Sequence, residues 1–472
     1  MRRQHPIVIV TGFFNELRSL LLPIGISFLV QLTGQNGFGV SPGYLIFMGG
    51  VLVFLLVFGF IRWIFFRYEY DNGSLHIKKG VLIKKDRTIK KDRIQTINTE
   101  AGIILRMFSL VSLHIETAAS SGESEFHISA LPKEEAERLK KRLAQDMGAT
   151  DTPNGDSNGP DLELGFDRLF VAGVTSGSVG LIFGALGIIF SQLLAVIPET
   201  VMEVIVDSIV ATSLIGIIIV LAFLFLLSWV LSTFRFLIRF AFFTVKHEGD
   251  RLKISRGLIV RKEFTVQFHR IQSIYIEEGV LRQPFSLASI QAEVAGGSEY
   301  EDAFRISLIP IIPIRDVQRF LSRFIPEYAV EHTLDPLPKR SLRRYLIRAA
   351  IPFVFLIPLP FFWFYTIALF LLMIPALFLG WLRYKDGGHC MDRNHLVIRS
   401  RLLARKTTLT KKPHIQSMLL NRSVLQRFRR LCTLQISVLS ANRSATYTLK
   451  DLSYEDFFAL YTWFGPEKAL ES

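Results

Sequence analysis

Cations are the residues of this chain with the most to offer chemically. Lys78, Lys79, Lys84, Lys85, Lys90, Lys91 and Arg93 crowd into one short stretch. Two sparser groups follow: Arg256, Arg261, Lys262 and Arg270, then Arg401, Arg405 and Lys406. At such density, ammonium and guanidinium groups attract anionic headgroups, each base contributing about 1 kcal/mol close to a negatively charged bilayer. The plainer reading is a solvated face, together with the charge that orients nearby membrane spans. Bond-making groups are scarcer. The chain has no Gly-rich phosphate loop with Lys, no His-Glu-x-x-His, no Gly-x-Ser-x-Gly and no clustered metal ligands. His76, His114, His127 and the His247-Glu248 pair are isolated on strand-like runs and read as surface or structural residues. No catalytic residue, cofactor or metal is expected.

A threefold repeat must position these cations. Asp92-Arg93-Ile94-Gln95-Thr96-Ile97 returns as His269-Arg270-Ile271-Gln272-Ser273-Ile274 and as Pro413-His414-Ile415-Gln416-Ser417-Met418. Fourteen residues before each first Ile stands a turn position: Gly80, Gly257 and Arg401. Sixteen residues after it stands a Leu: Leu110, Leu287 and Leu431. Equal offsets in three copies make repetition the organising fact. Ile94, Ile271 and Ile415, with those Leu residues, read as core anchors. Gln95, Gln272 and Gln416 read as partners for buried backbone groups at a strand entrance, where the Ile94 to Ile97 spacing argues for a bulge.

Within the first repeat, alternating runs predict strands over Leu75 to Lys79, Val81 to Lys85, Leu110 to Glu116 and Glu125 to Ser129. A helix closes the repeat after Leu131-Pro132, its acids early and its bases late. Similar helices close the others, near Arg315 to Phe324 and from Ser453 to Phe464.

Half the residues are hydrophobic, 20% are charged, and mean hydropathy is +0.34. That balance fits membrane spans alternating with polar domains. Apolar runs come in pairs: Ser19 to Leu32 with Tyr44 to Phe60, and Leu169 to Ile197 with Ser208 to Leu231. A third run lies between Arg348 and Arg383 without one charged residue. As a single helix it would reach about 51 Å, against a hydrocarbon core of roughly 30 Å. A hairpin turning near Pro358-Leu359-Pro360 fits better, though its short arms also suit a re-entrant pair. The count is six spans. Links within the pairs lack Lys and Arg while the outer flanks are rich in them, so both termini and all three polar segments are expected in the cytoplasm.

The formal net charge of +14 then points to an anionic membrane surface rather than to nucleic acid. Two distant cysteines, Cys390 and Cys432, give no disulfide framework and suit a reducing compartment. Gly173, Gly177, Gly180 and Gly184 repeat at spacings that let helices approach, within one chain or between copies. The expected domains are a transmembrane hairpin at 1–66, a strand module at 67–148 and a flexible linker at 149–165. A second hairpin (166–240) and module (241–330) follow, then a third hairpin (331–383) and module (384–472).

A membrane hairpin, then strands, then a closing helix, three times over, resembles the bacterial pleckstrin-homology-like membrane proteins of the YdbT type. The three Arg/His-Ile-Gln-Thr/Ser cores, the opening His5-Pro6 and the hairpin-then-domain order carry the resemblance, which covers essentially the whole chain. It implies a membrane α-helical protein with three cytoplasmic PH-like β-barrels, each capped by a C-terminal helix. It implies no catalytic role, and some relatives are associated with envelope stress or tolerance of membrane-active peptides. The third copy departs from the pattern, with Arg401 in place of Gly and Pro413-His414 in place of the Arg-bearing pair.

The expected function is a non-enzymatic, multi-pass scaffold or sensor in the cell membrane. Its expected partners are the anionic bilayer and a protein in the same membrane, such as a smaller PH-like membrane protein, or further copies of itself. The alternative is an export or protective transporter-like machine acting on membrane-inserted peptides. Such a path usually needs intramembrane ionisable residues; the spans offer only milder polar groups such as Ser191 and Gln192.

Overall fold

The computed structural model describes residues 1–32, 41–71, 73–81, 83–90, 93–117, 125–145, 162–196, 214–295, 305–330, 333–355, 370–440 and 443–465. The chain forms two compact units, residues 1–246 with 253–265, and residues 247–252 with 266–472.

The first unit opens with helices α1 (Ile7–Leu32) and α2 (Pro42–Phe65). Ser41 caps α2 by accepting the Tyr44 N–H, and Pro42 sits in the first turn, where its missing N–H costs nothing. Strands β1 (Arg67–Asp71), β2 (Ser74–Lys79) and β3 (Lys85–Lys90) form an antiparallel sheet. The strand expected over Val81 to Lys85 is not formed there: Val81, Ile83 and Lys84 belong to the turn that Gly80 opens, and the strand begins at Lys85. Next come β4 (Ile94–Ala101), the short helix α3 (Ile103–Met107), β5 (Leu110–Thr117), β6 (Glu125–Pro132) and α4 (Lys133–Gln145). Alternation along these strands puts Leu75, Ile77, Ile89, Leu113, Ile115 and Ile128 into one core, which Ala136, Leu139 and Leu143 of α4 join. The register slips between Ile94 and Thr96, which places a bulge at the repeated motif. It slips again between Ile271 and Ser273 and between Ile415 and Ser417.

A two-residue strand, β7 (Leu162–Glu163), precedes α5 (Phe166–Val174), α6 (Val179–Val196) and α7 (Leu214–Phe240). A Cβ at Gly173 would lie 3.1 Å from Thr233 Cγ2, so this glycine lets α5 approach α7 closely. Gly177, Gly180 and Gly184 have no such neighbour within 4 Å. Strands β8 (Thr244–Glu248), β9 (Arg251–Arg256) and β10 (Arg261–Gln267) begin the second module.

In the second unit that module continues with β11 (Ile271–Glu278), β12 (Leu287–Val294), β13 (Arg305–Pro313) and α8 (Ile314–Phe324). After β14 (Asp335–Pro336) come α9 (Leu342–Val354) and α10 (Met373–Lys385). The third module comprises β15 (Gly388–Met391), β16 (His395–Arg401), β17 (Arg405–Lys411), β18 (Ile415–Asn421), α11 (Val424–Phe428), β19 (Leu431–Ser440), β20 (Arg443–Ser453) and α12 (Tyr454–Phe464).

The modules do not close separately. One seven-stranded sheet runs β6-β5-β4-β10-β9-β8-β7 and another runs β13-β12-β11-β17-β16-β15-β14. The middle module therefore gives its first three strands to one sheet and its last three to the other. Among the described residues β1-β2-β3 and β18-β19-β20 remain as three-stranded sheets.

Among the described residues two helices are long and apolar enough to cross a bilayer, Pro42–Phe65 and Ile218–Phe240. The pair Phe166–Val174 and Val179–Ser191, bent by 59°, would make a third if it is one span. In α1 the apolar run is broken by Asn15-Glu16-Leu17-Arg18. Helices α9 and α10 have 13 residues each, about 20 Å at 1.5 Å per residue. The expected turn at Pro358-Leu359-Pro360 lies outside the described residues, as does most of the expected linker.

The turns between second and third strands carry their own constraint. Gly80 and Gly257 have φ of +114° and +109°, and an added Cβ would lie 1.9 Å from Ile83 O or 2.0 Å from Val260 O. Arg401 is not left-handed, so the third copy turns by another route. Replacing Gly257 with Ala is expected to destabilise the protein by at least about 1–2 kcal/mol. Gly249→Ala, at φ +58° with nothing within 4 Å, should cost less; thermal unfolding of the detergent-solubilised chain compares the two.

Candidate functional site

Two strand-to-strand joins gather the charged residues of the repeats. In the first, Arg261, Lys262 and Glu263 of β10 stand opposite Ala101, Glu100 and Thr99 of β4. Lys262 Nζ lies 3.5 Å from Glu100. The Thr265 N–H donates to Asn98 Oδ1 at 3.4 Å, and Asn98 Nδ2 donates to Glu116 at 3.0 Å. Glu263 takes Lys253 at 2.8 Å and Lys140 at 3.3 Å. Burial raises the Glu263 pKa, but the Lys253 hydrogen bond and the Lys140 charge outweigh it and leave the carboxyl below its usual range.

The second join runs from Ser273 opposite Thr410 to Glu278 opposite Arg405. Arg405 forks onto Glu278, with Nε 2.7 Å from Oε1. Lys406 lies 3.8 Å from Glu277. Ser273, Thr407, Thr408 and Thr410, further along the same two strands, are buried. Counted from Ile94 and Ile271, Ala101 and Glu278 hold the same place; counted from Gly257 and Arg401, so do Arg261 and Arg405. Both joins therefore share one register.

Behind the second join lies a buried polar cluster. Glu293, 1% exposed, accepts from Arg305 Nε at 2.5 Å, from Tyr447 Oη at 3.1 Å and from Ser440. The Arg305 guanidinium stands 3.9 Å over the Tyr275 ring. A second buried acid, Asp451, holds Arg344 at 2.9 Å and Arg348 at 2.5 Å, tying α9 to the third module. Neither acid stands out in the sequence, because only their burial distinguishes them from surface carboxylates.

The basic residues are not all at the surface. Lys78, Lys79, Lys84, Lys85, Lys90 and Arg93 are exposed on or beside the β2–β3 hairpin, where Lys78 meets Asp86 at 2.8 Å. Partial burial, then the charges of Arg87 and Lys85, lower the Lys79 pKa. Lys91 lies outside the described residues. Arg261 is also exposed, its Nε donating to Ser255 at 3.3 Å.

Arg256 and Arg270, expected at the surface, are buried instead. The first packs 4.8 Å from the Phe240 ring and 5.5 Å from that of Phe264, and the second donates to the Ala295 carbonyl at 2.5 Å. Aromatic faces and a carbonyl take the place of lipid there. Arg401 is likewise enclosed, 2.7 Å from Asp386. Arg405 and Lys406 are half-buried in the second join.

Ile94, Ile271, Ile415, Leu110 and Leu431 lie in the cores, and Leu287 is half-buried. Gln272 Nε2 donates to the Arg270 carbonyl at 3.3 Å. Gln416 departs from that plan: exposed, it accepts from the Ser444 hydroxyl at 3.3 Å. The Gln95 side chain lies outside the described set.

Sequence reasoning missed a set of exposed apolar loops. Ile83, the pair Leu258 and Ile259, and the pair Leu402 and Leu403 project from the turns between second and third strands. Two of these turns sit at helix ends: the Leu258 N–H donates to Ile238 O of α7 at 3.0 Å, and Arg383 of α10 donates to Leu402 O at 2.8 Å. Met107, Phe285 and Phe428 are exposed after the fourth strands. The detectable signal was a pair of large apolar residues inside a turn, where polar ones are usual.

Over residues 20–147, 185–325 and 350–468 the chain matches the family model described as bacterial PH domain. It is 32% identical over 495 aligned residues to UPF0699 transmembrane protein YdbT of Bacillus subtilis (strain 168), with 99% of both chains covered. UPF0699 transmembrane protein YdbS of the same organism is 28% identical over 102 residues, which are 22% of this chain and 62% of that one. No solved structure matches.

Removing Asp451 would leave two arginines facing a buried gap. Asp451→Ala is expected to cost about 3–5 kcal/mol, whereas Lys78→Ser, at an exposed pair, should cost under about 1 kcal/mol; thermal unfolding separates them. At the first join, burial and the Lys262 charge push His114 down to about 4. The unfolded chain binds that proton near pH 6.5, so stability should fall as pH drops from 6.5 towards 4. His114→Gln should flatten that part of the profile in unfolding measured against pH.

Proposed function

Given that the chain belongs to the bacterial PH domain family and, over its full length, to the UPF0699 transmembrane proteins, we propose that it is a non-enzymatic membrane scaffold. Its PH-like modules are displayed on the cytoplasmic side, as the placement of Lys and Arg favours. It holds a protein partner at an anionic bilayer, in a role that the YdbT-type resemblance associates with envelope stress or tolerance of membrane-active peptides.

One observation carries this reading: neighbouring modules join twice by strand addition in the same register. Modules built to pair through their strands suit assembly better than turnover. The exposed cations of the β2–β3 hairpin supply attraction to anionic headgroups. The apolar loops at the ends of α7 and α10 supply insertion at the headgroup boundary.

Crosslinked co-purification of the intact chain from its native membrane in mild detergent tests the proposal. A companion protein in fixed stoichiometry, with retained anionic lipid, is expected. Replacing Lys78, Lys79 and Lys90 with Ser should reduce the retained lipid at least about tenfold, since each base contributes about 1 kcal/mol. A monomer with neither protein nor lipid would sink the reading.

A further inference from the structure

Both internal joins follow one rule. The fourth strand of a module, β4 or β11, receives the third strand of the next, β10 or β17. Within each join a Glu meets a Lys: Glu100 with Lys262, Glu277 with Lys406. One residue further on, Ala101 or Glu278 meets an Arg, Arg261 or Arg405.

The third module has a fourth strand too, β18, and it lies at the edge of its sheet, paired only with β19 among the described residues. Its side chains show what β11 would look like uncovered. Leu419 is 52% exposed where its counterpart Tyr275 is 2% exposed, and Ser417 is exposed where Ser273 is buried. No Pro or Lys guards the strand, so its backbone groups are open to pairing. The charge at its end is changed: Asn421 and Arg422 stand where β11 has Glu277 and Glu278. Arg422 lies 4.4 Å over the Tyr454 ring, and its Nε is buried without a hydrogen-bond partner.

We propose that Ile415–Asn421 is a receiving edge for the third strand of a bacterial-PH module on another polypeptide. That strand carries an acid where this chain has Arg261 and Arg405. It adds antiparallel in the register of the internal joins, which sets its acid opposite Arg422. A second copy of this chain is the wrong occupant. Its edge strand β3 would bring Lys84 opposite Arg422 and Lys85 opposite Asn421, and like charges directly opposite are destabilising. That mismatch also prevents identical copies from running on as an open filament. The proposal rests on the scaffold reading for its use in the cell, and on the two internal joins for its geometry.

Charge-swapped copies of the full chain test it without knowledge of the natural partner. Two differently tagged copies, both Cys390→Ser, are expressed in one membrane, one with Leu420→Cys and the other with Asp86→Cys, and treated with a short bismaleimide. With native charges, cross-linking between copies should stay at background. Lys84→Glu with Lys85→Glu in the second copy should raise it about five- to tenfold, as should Arg422→Glu in the first. Combining the two reversals should return it to background. A Thr99→Cys, Glu263→Cys chain carrying the same charge changes should still cross-link internally, which reports an intact fold.

Equal cross-linking with native charges would make a second copy the occupant and overturn the proposal. So would the absence of a rise in either swap. A rise here with no companion in co-purification would remove the scaffold reading and keep the edge; the opposite pair of results would do the reverse.

Discussion

The structure depends on the need of an edge strand for backbone partners. A strand at the rim of a sheet carries a row of N–H and C=O groups, and water or another strand must satisfy them. Strands β4, β10, β11 and β17 meet this need by pairing between modules. In each module the third strand ends one run of three paired strands and the fourth strand begins another. Repetition does the rest: the rim left open by one copy is the shape offered by the next.

Charge follows from that arrangement. Once β17 lies against β11, Arg405 and Lys406 are fixed beside Glu278 and Glu277. Partial burial makes those pairs sensitive to the loss of one partner, more than to their net contribution to stability. In the first module β3 lies at the edge of its sheet among the described residues, and its hairpin cations stay at the surface. The same residue types thus serve as surface charge in one copy and as links in the others. Buried Glu293 and Asp451 show the deeper version of this logic, each surrounded by the donors that its burial demands.

Much of the fold was legible beforehand. The repeated Ile and Leu offsets marked the modules, because core positions recur with the strand geometry that places them. The Ile94 to Ile97 spacing pointed to a bulge, and the register slips there and at both later copies. The site was legible only in part. Arg256 and Arg93 look alike in sequence, yet one packs between Phe240 and Phe264 and the other is exposed. Nothing local distinguishes them, since the aromatic partner of a cation is brought by the fold.

From residue order alone came the threefold plan, the apolar segments and the strand and helix periodicities. Each of these is written in side chains at short range, where hydrophobic pattern and turn chemistry act. Which strand would lie beside which was settled only in three dimensions. The bonds that join β4 to β10 and β11 to β17 are made by peptide groups that almost every residue carries alike. A ladder common to all residues leaves no mark in the letters, so the destination of Lys262, Arg405 and Lys406 became visible only with the pairing itself.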